Sequence, residues 1–137
     1  MNVNRIIAHL ALPPDACSPN FHGHWRSRYK ATKSYREQSH IEFLWLARGC
    51  RWPEGLSVTL DVEYNCCKSA VGYKPRDIAN AMAALKPAID GMADAEIVKS
   101  DAKQWVQWGE FTLRTTAPEL KRAGVVPGVI ITVNRQE

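Results

Sequence analysis

The sequence has no apolar run approaching the roughly 18 residues that a membrane-spanning helix needs. Its opening stretch, interrupted by Asn2, Asn4 and His9, has no signal-peptide pattern. Cysteine is sparse: Cys17, Cys50, Cys66 and Cys67 include no CxxC pair, and adjacent Cys66 and Cys67 cannot close an unstrained disulfide with each other. These absences lead to the expectation of a cytoplasmic protein with reduced thiols. GxGxxG, P-loop, GxSxG and HExxH patterns are missing too, which leaves nucleotide-driven, serine-hydrolase and zincin chemistry without support. With no repeat, low-complexity tract or linker, 137 residues read as one domain long enough to bury a core without staples.

Charge is present but only modestly biased: 18 Lys and Arg against 14 Asp and Glu, with a pI near 9.0. A basic, aromatic stretch carries His22, His24, Trp25, Arg26, Arg28 and Lys30, followed by Lys33 and Arg36. Cations neutralise phosphates and rings stack on bases, so this composition suits nucleic acid. A solvated basic surface is the plainer reading. Cys17, His22 and His24 fit no closed four-ligand zinc spacing.

Residues 4–12 alternate loosely and stop at Pro13-Pro14, which predicts an edge strand. Residues 14–29 read as a long loop. Ser34-Tyr35-Arg36-Glu37 has the form of a capping box and Gly49 that of a stop, which predicts a helix over 35–48. Its second half, Ile41 to Leu46, is apolar on nearly every side, as expected of a helix that is sandwiched or packs a second protomer. Residues 57–65 form the clearest strand, with Val58, Leu60, Val62 and Tyr64 on one face and Thr59, Asp61 and Glu63 on the other. Asp77 sits at a helix N-cap position, and Ile78, Met82, Leu85, Ile89 and Met92 mark one apolar seam. Pro87 should kink or restart that helix near Leu85 and Lys86. Residues 103–116 read as a strand with Trp105 and Trp108 on opposite faces. A short helix at 119–122 and a last strand at 129–133 complete the order β-α-β-α-β-β, an α+β fold with helices on one face of a mixed sheet.

Phosphodiester hydrolysis commonly uses Mg²⁺ held on carboxylates, the metal activating water and steadying charge on the phosphorus oxygens. Asp77, Asp94 and Asp101 are the candidate ligands, with Asp61 and Glu63 in reserve. Taken singly, each has the plainer reading of a cap, a turn former or a solvated charge.

Two blocks of the chain together resemble the RusA-like Holliday-junction resolvases of bacteriophages and prophages. The first is Ser18-Pro19-Asn20 with His24-Trp25, Lys33 and Tyr35-Arg36. The second is Arg76-Asp77-Ile78-Ala79-Asn80, Leu85-Lys86-Pro87, Ile89-Asp90-Gly91, Asp94-Ala95 and Asp101. The resemblance implies a homodimer in the bacterial host cytoplasm that makes paired, Mg²⁺-dependent cuts (Mn²⁺ being the other candidate ion) in four-way DNA junctions. It implies Asp77 and Asp101 as metal ligands and catalytic residues with Lys86, with Asp94, Asp61 or Glu63 as the carboxylate left to complete the site. Contacts to DNA would come from His24, Trp25, Arg26, Arg28, Lys30, Lys33, Arg36, Lys74, Arg76 and Asn80. Two positions depart from the family pattern: Ala79 stands where a second hallmark aspartate belongs, and Ser100 where an acidic pair begins. A methyl group cannot bind Mg²⁺, so either another carboxylate completes the site or the chain binds branched DNA and cuts it weakly or not at all.

Overall fold

The computed structural model describes residues 4–53 and 56–136. Its eight regular elements are β1 (Arg5–Leu10), α1 (Trp25–Cys50), β2 (Val58–Asn65), α2 (Ile78–Ala84), α3 (Lys86–Asp94), β3 (Val106–Arg114), α4 (Ala117–Ala123) and β4 (Gly128–Arg135), with a 3-10 turn at Asp15–Cys17. The strands form one mixed sheet in the order β1-β4-β2-β3, in which only β2 and β3 run parallel. The coarse expectation of an α+β domain therefore holds, but the chain has more helices than the predicted element order.

The alternation read in β2 sets the layers. Val58, Leu60, Val62 and Tyr64 are buried, and they join Ile6, Ala8, Val129, Ile131 and Val133 from the neighbouring strands in one core. α1 packs against α3 and β1, contributing Tyr35 and Phe43, while α3 adds Ile89 and Met92. Polar ends of the large buried rings are satisfied: the Tyr35 hydroxyl donates to the Ala11 carbonyl (2.6 Å) and the Tyr64 hydroxyl to that of Tyr73 (2.7 Å). Burial pushes both phenols well above the ordinary tyrosine range.

α1 begins ten residues before the predicted start, so the last five residues of the expected 14–29 loop are helical, and Asp15–Cys17 forms the 3-10 turn. Ser34 is an interior residue whose hydroxyl accepts from Gln38 rather than capping anything. Gly49 is not the stop either: the helix runs on to Cys50 and ends with Arg51 in the left-handed conformation at φ 55°.

β3 is shorter than 103–116 and carries a bulge. Leu60 pairs with Trp108 but Val62 pairs with Phe111, so Gly109 and Glu110 together oppose Asp61. The extra residue resets the pleat, and the rings of Trp108 and Phe111 come together at 6.0 Å instead of lying in opposite phase. Gly109 is required there because a Cβ would collide with the Asp61 carboxylate and the Thr59 methyl.

The predicted apolar seam holds for Leu85, Ile89 and Met92, which are buried, but not for Ile78, which is exposed. The chain breaks at Leu85, with Pro87 in the first turn of α3, so α2 and α3 do not share one continuous stripe. Ala81 and Ala84 carry the α2 contact instead. No helix among the described residues is long and apolar enough to cross a membrane.

Candidate nucleic-acid interface and acidic site

The early start of α1 turns the basic stretch into a helix face. His24 caps the helix, its Nδ1 accepting from the Arg26 amide at 3.1 Å. No carboxylate occurs between Asp15 and Glu37, while Arg26, Arg28, Lys30, Lys33 and Arg36 fall in that interval. Trp25 and Tyr29 are 66% and 61% exposed, well beyond what core aromatics show. Arg26 lies 5.4 Å from the Trp25 ring centroid and His24 stacks on the same ring at 5.7 Å.

The candidate cations divide into two groups. Arg28 donates to the carbonyls of Ser18 and Phe21 (3.0 and 3.2 Å), tying the preceding segment to the helix. Arg36 makes a two-pronged contact with Asp94, Nε to Oδ2 at 2.6 Å and an Nη to Oδ1 at 2.8 Å. These two are structural. Lys30, Lys33 and Arg26 have no ion-pair partner among the described residues and stand outward. Lys74 reaches back to the Gly72 carbonyl (3.2 Å), and Arg76 is exposed beside Asp77.

Asp77 is an N-cap, as its position in the sequence predicts. Its Oδ1 accepts from the Asn80 amide at 2.8 Å, which accounts for Asn80 lying against it. Ala79 is exposed one residue earlier and presents only a methyl. The restart at Leu85 redirects Lys86, which on an unbroken helix would point about half a turn away from Asp77. Its Nζ lies 2.7 Å from Asp101 Oδ2 and 3.5 Å from Asp90 Oδ1. The hydrogen bond to Asp101 raises the Lys86 pKa and holds the Asp101 carboxyl below the usual carboxylate range. Ser100 turns its hydroxyl to the Ala102 amide at 3.2 Å, shaping the turn that presents Asp101.

The remaining carboxylate candidates are committed elsewhere. Asp94 gives both oxygens to Arg36, whose hydrogen bond depresses its pKa. Asp61 and Glu63 lie on the sheet face turned away from Leu60 and Val62. There Asp61 accepts from the Glu110 amide and Asn134, while Glu63 pairs with Arg114 at 2.8 Å. The pleat therefore removes them as reserves for a site on the helical side.

Among the described residues no three His, Cys, Asp or Glu side chains gather closely enough to hold a metal ion. All four cysteines are free thiols. For Mg²⁺ the donor chemistry fits, because the ion takes one or two carboxylates and completes its shell with water and substrate phosphate. Asp101 keeps Oδ1 and Asp77 keeps Oδ2 without a hydrogen-bond partner among the described residues.

Between α1 and α3 opens a cleft of about 420 Å³ lined by Tyr29, Lys33, Arg36, Pro87, Asp90 and Asp94, among others. Sequence reasoning passed over Tyr29, which becomes legible only as the residue one turn beyond Trp25 once the helix starts at 25. Asp90 was visible as part of the Ile89-Asp90-Gly91 block.

No protein-family model matches the chain, and no curated protein matches it.

Proposed function

We propose that this protein is a structure-selective endonuclease that acts on four-way DNA junctions with Mg²⁺, as the resemblance to the RusA-like resolvases implies. One observation carries the reading. Lys86 and Asp101, both implied as site residues by the resemblance, lie 2.7 Å apart, Nζ to Oδ2. When bound, Mg²⁺ would supply an activated water and charge neutralisation at the phosphorus oxygens, with Asp101 and Asp77 as its carboxylates. The chain's own contributions are orientation and charge. Lys86 fixes one Asp101 oxygen and leaves the other open, while Asp77 is rigidly seated because it also caps α2. Arg26, Lys30 and Lys33 neutralise backbone phosphates along α1, and Arg76 does so beside Asp77. Two active sites related by a two-fold axis suit the two equivalent strands of a junction. The exposed Ile41 and Trp45 on the outer side of α1 give a second protomer an apolar surface to cover. Such a protein would work in a bacterial cytoplasm, where recombining or replicating phage DNA provides branched substrates.

Synthetic four-way junctions with Mg²⁺ test this directly: the protein should introduce symmetric nicks, and Asp77→Asn should abolish them. A monomeric mass at micromolar concentration would count against paired cutting.

A second reading is favoured by Ala79 and by the lack of a three-ligand cluster: the protein binds branched DNA and does not cut it. Retained junction affinity with no nicking in either Mg²⁺ or Mn²⁺ would select this reading.

A further inference from the structure

The cleft between α1 and α3 contains more than a phosphate-binding surface requires. Its rim is formed by Tyr29, whose ring is 61% exposed although it stands on a well-packed helix. Pro87, buried in the first turn of α3, lines it with an apolar surface. Arg36 lines it too, held in place by both oxygens of Asp94, so it does not swing out to a ligand. Asp90 lines the cleft with its side chain 26% exposed, and Lys86 lies 3.5 Å from its Oδ1. Lys33 stands at the mouth without an ion-pair partner among the described residues.

The charges define the occupant. The cleft residues include Glu37, Asp90 and Asp94 against Lys33 and Arg36, so its interior does not attract a phosphate. Instead it combines a free aromatic face with a carboxylate oxygen able to accept an N–H. Nucleobases offer that pair of features, a π face and an edge of ring and exocyclic N–H groups, once they leave the duplex stack. The phosphates of the same strand would remain outside, where Lys30 and Lys33 project from α1. A volume of about 420 Å³ is of the size that takes a small ligand such as one nucleotide.

We propose that this cleft binds one unpaired nucleotide of a branched DNA strand, its base stacked on Tyr29, its N–H edge toward Asp90 and its phosphate on Lys33. The inference rests on the DNA-binding reading above and sharpens it. The protein would recognise a junction by a displaced base at the crossover as well as by the geometry of its arms.

The test compares two fluorescein-labelled synthetic four-way junctions, one fully paired and one with a single unpaired nucleotide at the crossover. The protein should bind the second at least about fivefold more tightly, the low end of what one base–aromatic stack contributes. Tyr29→Ala should reduce that ratio to about one, and Tyr29→Phe, which keeps the ring, should restore it. As a measurement that needs no variant, 2-aminopurine at the unpaired position should lose fluorescence when the protein is added, because its base is stacked. Equal affinity for the two junctions with unchanged 2-aminopurine emission would overturn the cleft assignment and leave the DNA reading standing. Failure to bind either junction would overturn both.

Discussion

The first three turns of α1 and the turn region around α2 and α3 use their charges in opposite ways. On α1, Arg26, Lys30 and Lys33 face solvent beside exposed rings, with no carboxylate in the local sequence to neutralise them. Around α2 and α3 every candidate carboxylate already has a partner: Asp77 its own helix, Asp94 Arg36, and Asp101 Lys86. A charged group without a partner gains most from a ligand, whereas a paired one must give up a contact or share an oxygen. On the proposed reading, the basic face would take up phosphates without giving up a contact, whereas the acidic site would need an incoming phosphate and ion to complete it.

The two regions are joined through Gly91, and breaking that joint should have the largest effect. A Cβ at Gly91 would lie 2.6 Å from the Arg36 carbonyl and 2.8 Å from the His40 amide, both backbone atoms of α1. Gly91→Leu should lower stability by about 3 kcal/mol or more, read as a drop in thermal midpoint, and should loosen the Arg36–Asp94 contact. A midpoint like that of the unmodified protein would mean that α1 and α3 are not so closely crossed.

Asp77 allows its two roles to be separated. Asn also caps helices well, so Asp77→Asn should keep stability within a few tenths of a kcal/mol, while Asp77→Ala should cost about 1 kcal/mol. If Asp77 also holds Mg²⁺, both variants should stop junction cleavage. Cleavage surviving in Asp77→Asn would leave Asp77 as a cap alone.

The unpaired cations should be visible in salt. Replacing Lys30 and Lys33 with Gln should reduce the dependence of log affinity on log salt by about 1.8, at roughly 0.9 per phosphate contact. An unchanged slope would show that these lysines do not touch DNA. The same substitutions should hardly alter stability, since neither residue has an ion-pair partner among the described residues.

The smallest effect concerns the Lys86–Asp101 pair, both members of which are well exposed. Its contribution should be about 0–1 kcal/mol. Asp101 has a depressed pKa, so its share is present above the unfolded carboxylate value of 3.8 and is lost as pH falls through the lower folded value. Lys86 has a raised pKa, so its share is present below 10.5 and is lost as pH climbs through the higher folded value. Between those limits the difference in stability between the protein and Lys86→Met should be flat with pH. A difference that varies near pH 7 would point to another titrating partner.

What was legible in the sequence was whatever depends on neighbours in the chain. The alternation of β2, the cap at Asp77, the interruption at Pro87 and the short helix read at 119–122 all have local causes. The misread start of α1 has a local cause as well, and the remaining misreadings have non-local ones. Ser34 and Glu37 satisfy a capping pattern, but α1 is already under way, sustained by the good helix formers Arg26, Lys30, Ala31 and Lys33. The phase of β3 changes at a bulge whose Gly109 and Glu110 oppose Asp61, 48 positions before Gly109 in the sequence. The pairing of Arg36 with Asp94 spans 58 residues, and no spacing rule reaches that far. The partners these candidate residues have in the structure could therefore come only from the fold.

The most direct test of the central claim, a junction-binding protein whose carboxylate site is one ligand short, sets this chain beside Ala79→Asp on a synthetic four-way junction with Mg²⁺. The account predicts similar affinities and symmetric nicking that is at least about tenfold faster in the variant, the lower end of what even outer-sphere partners contribute to a metal site. Tight binding with no nicking by either protein would contradict a nuclease site at Asp77 and Asp101.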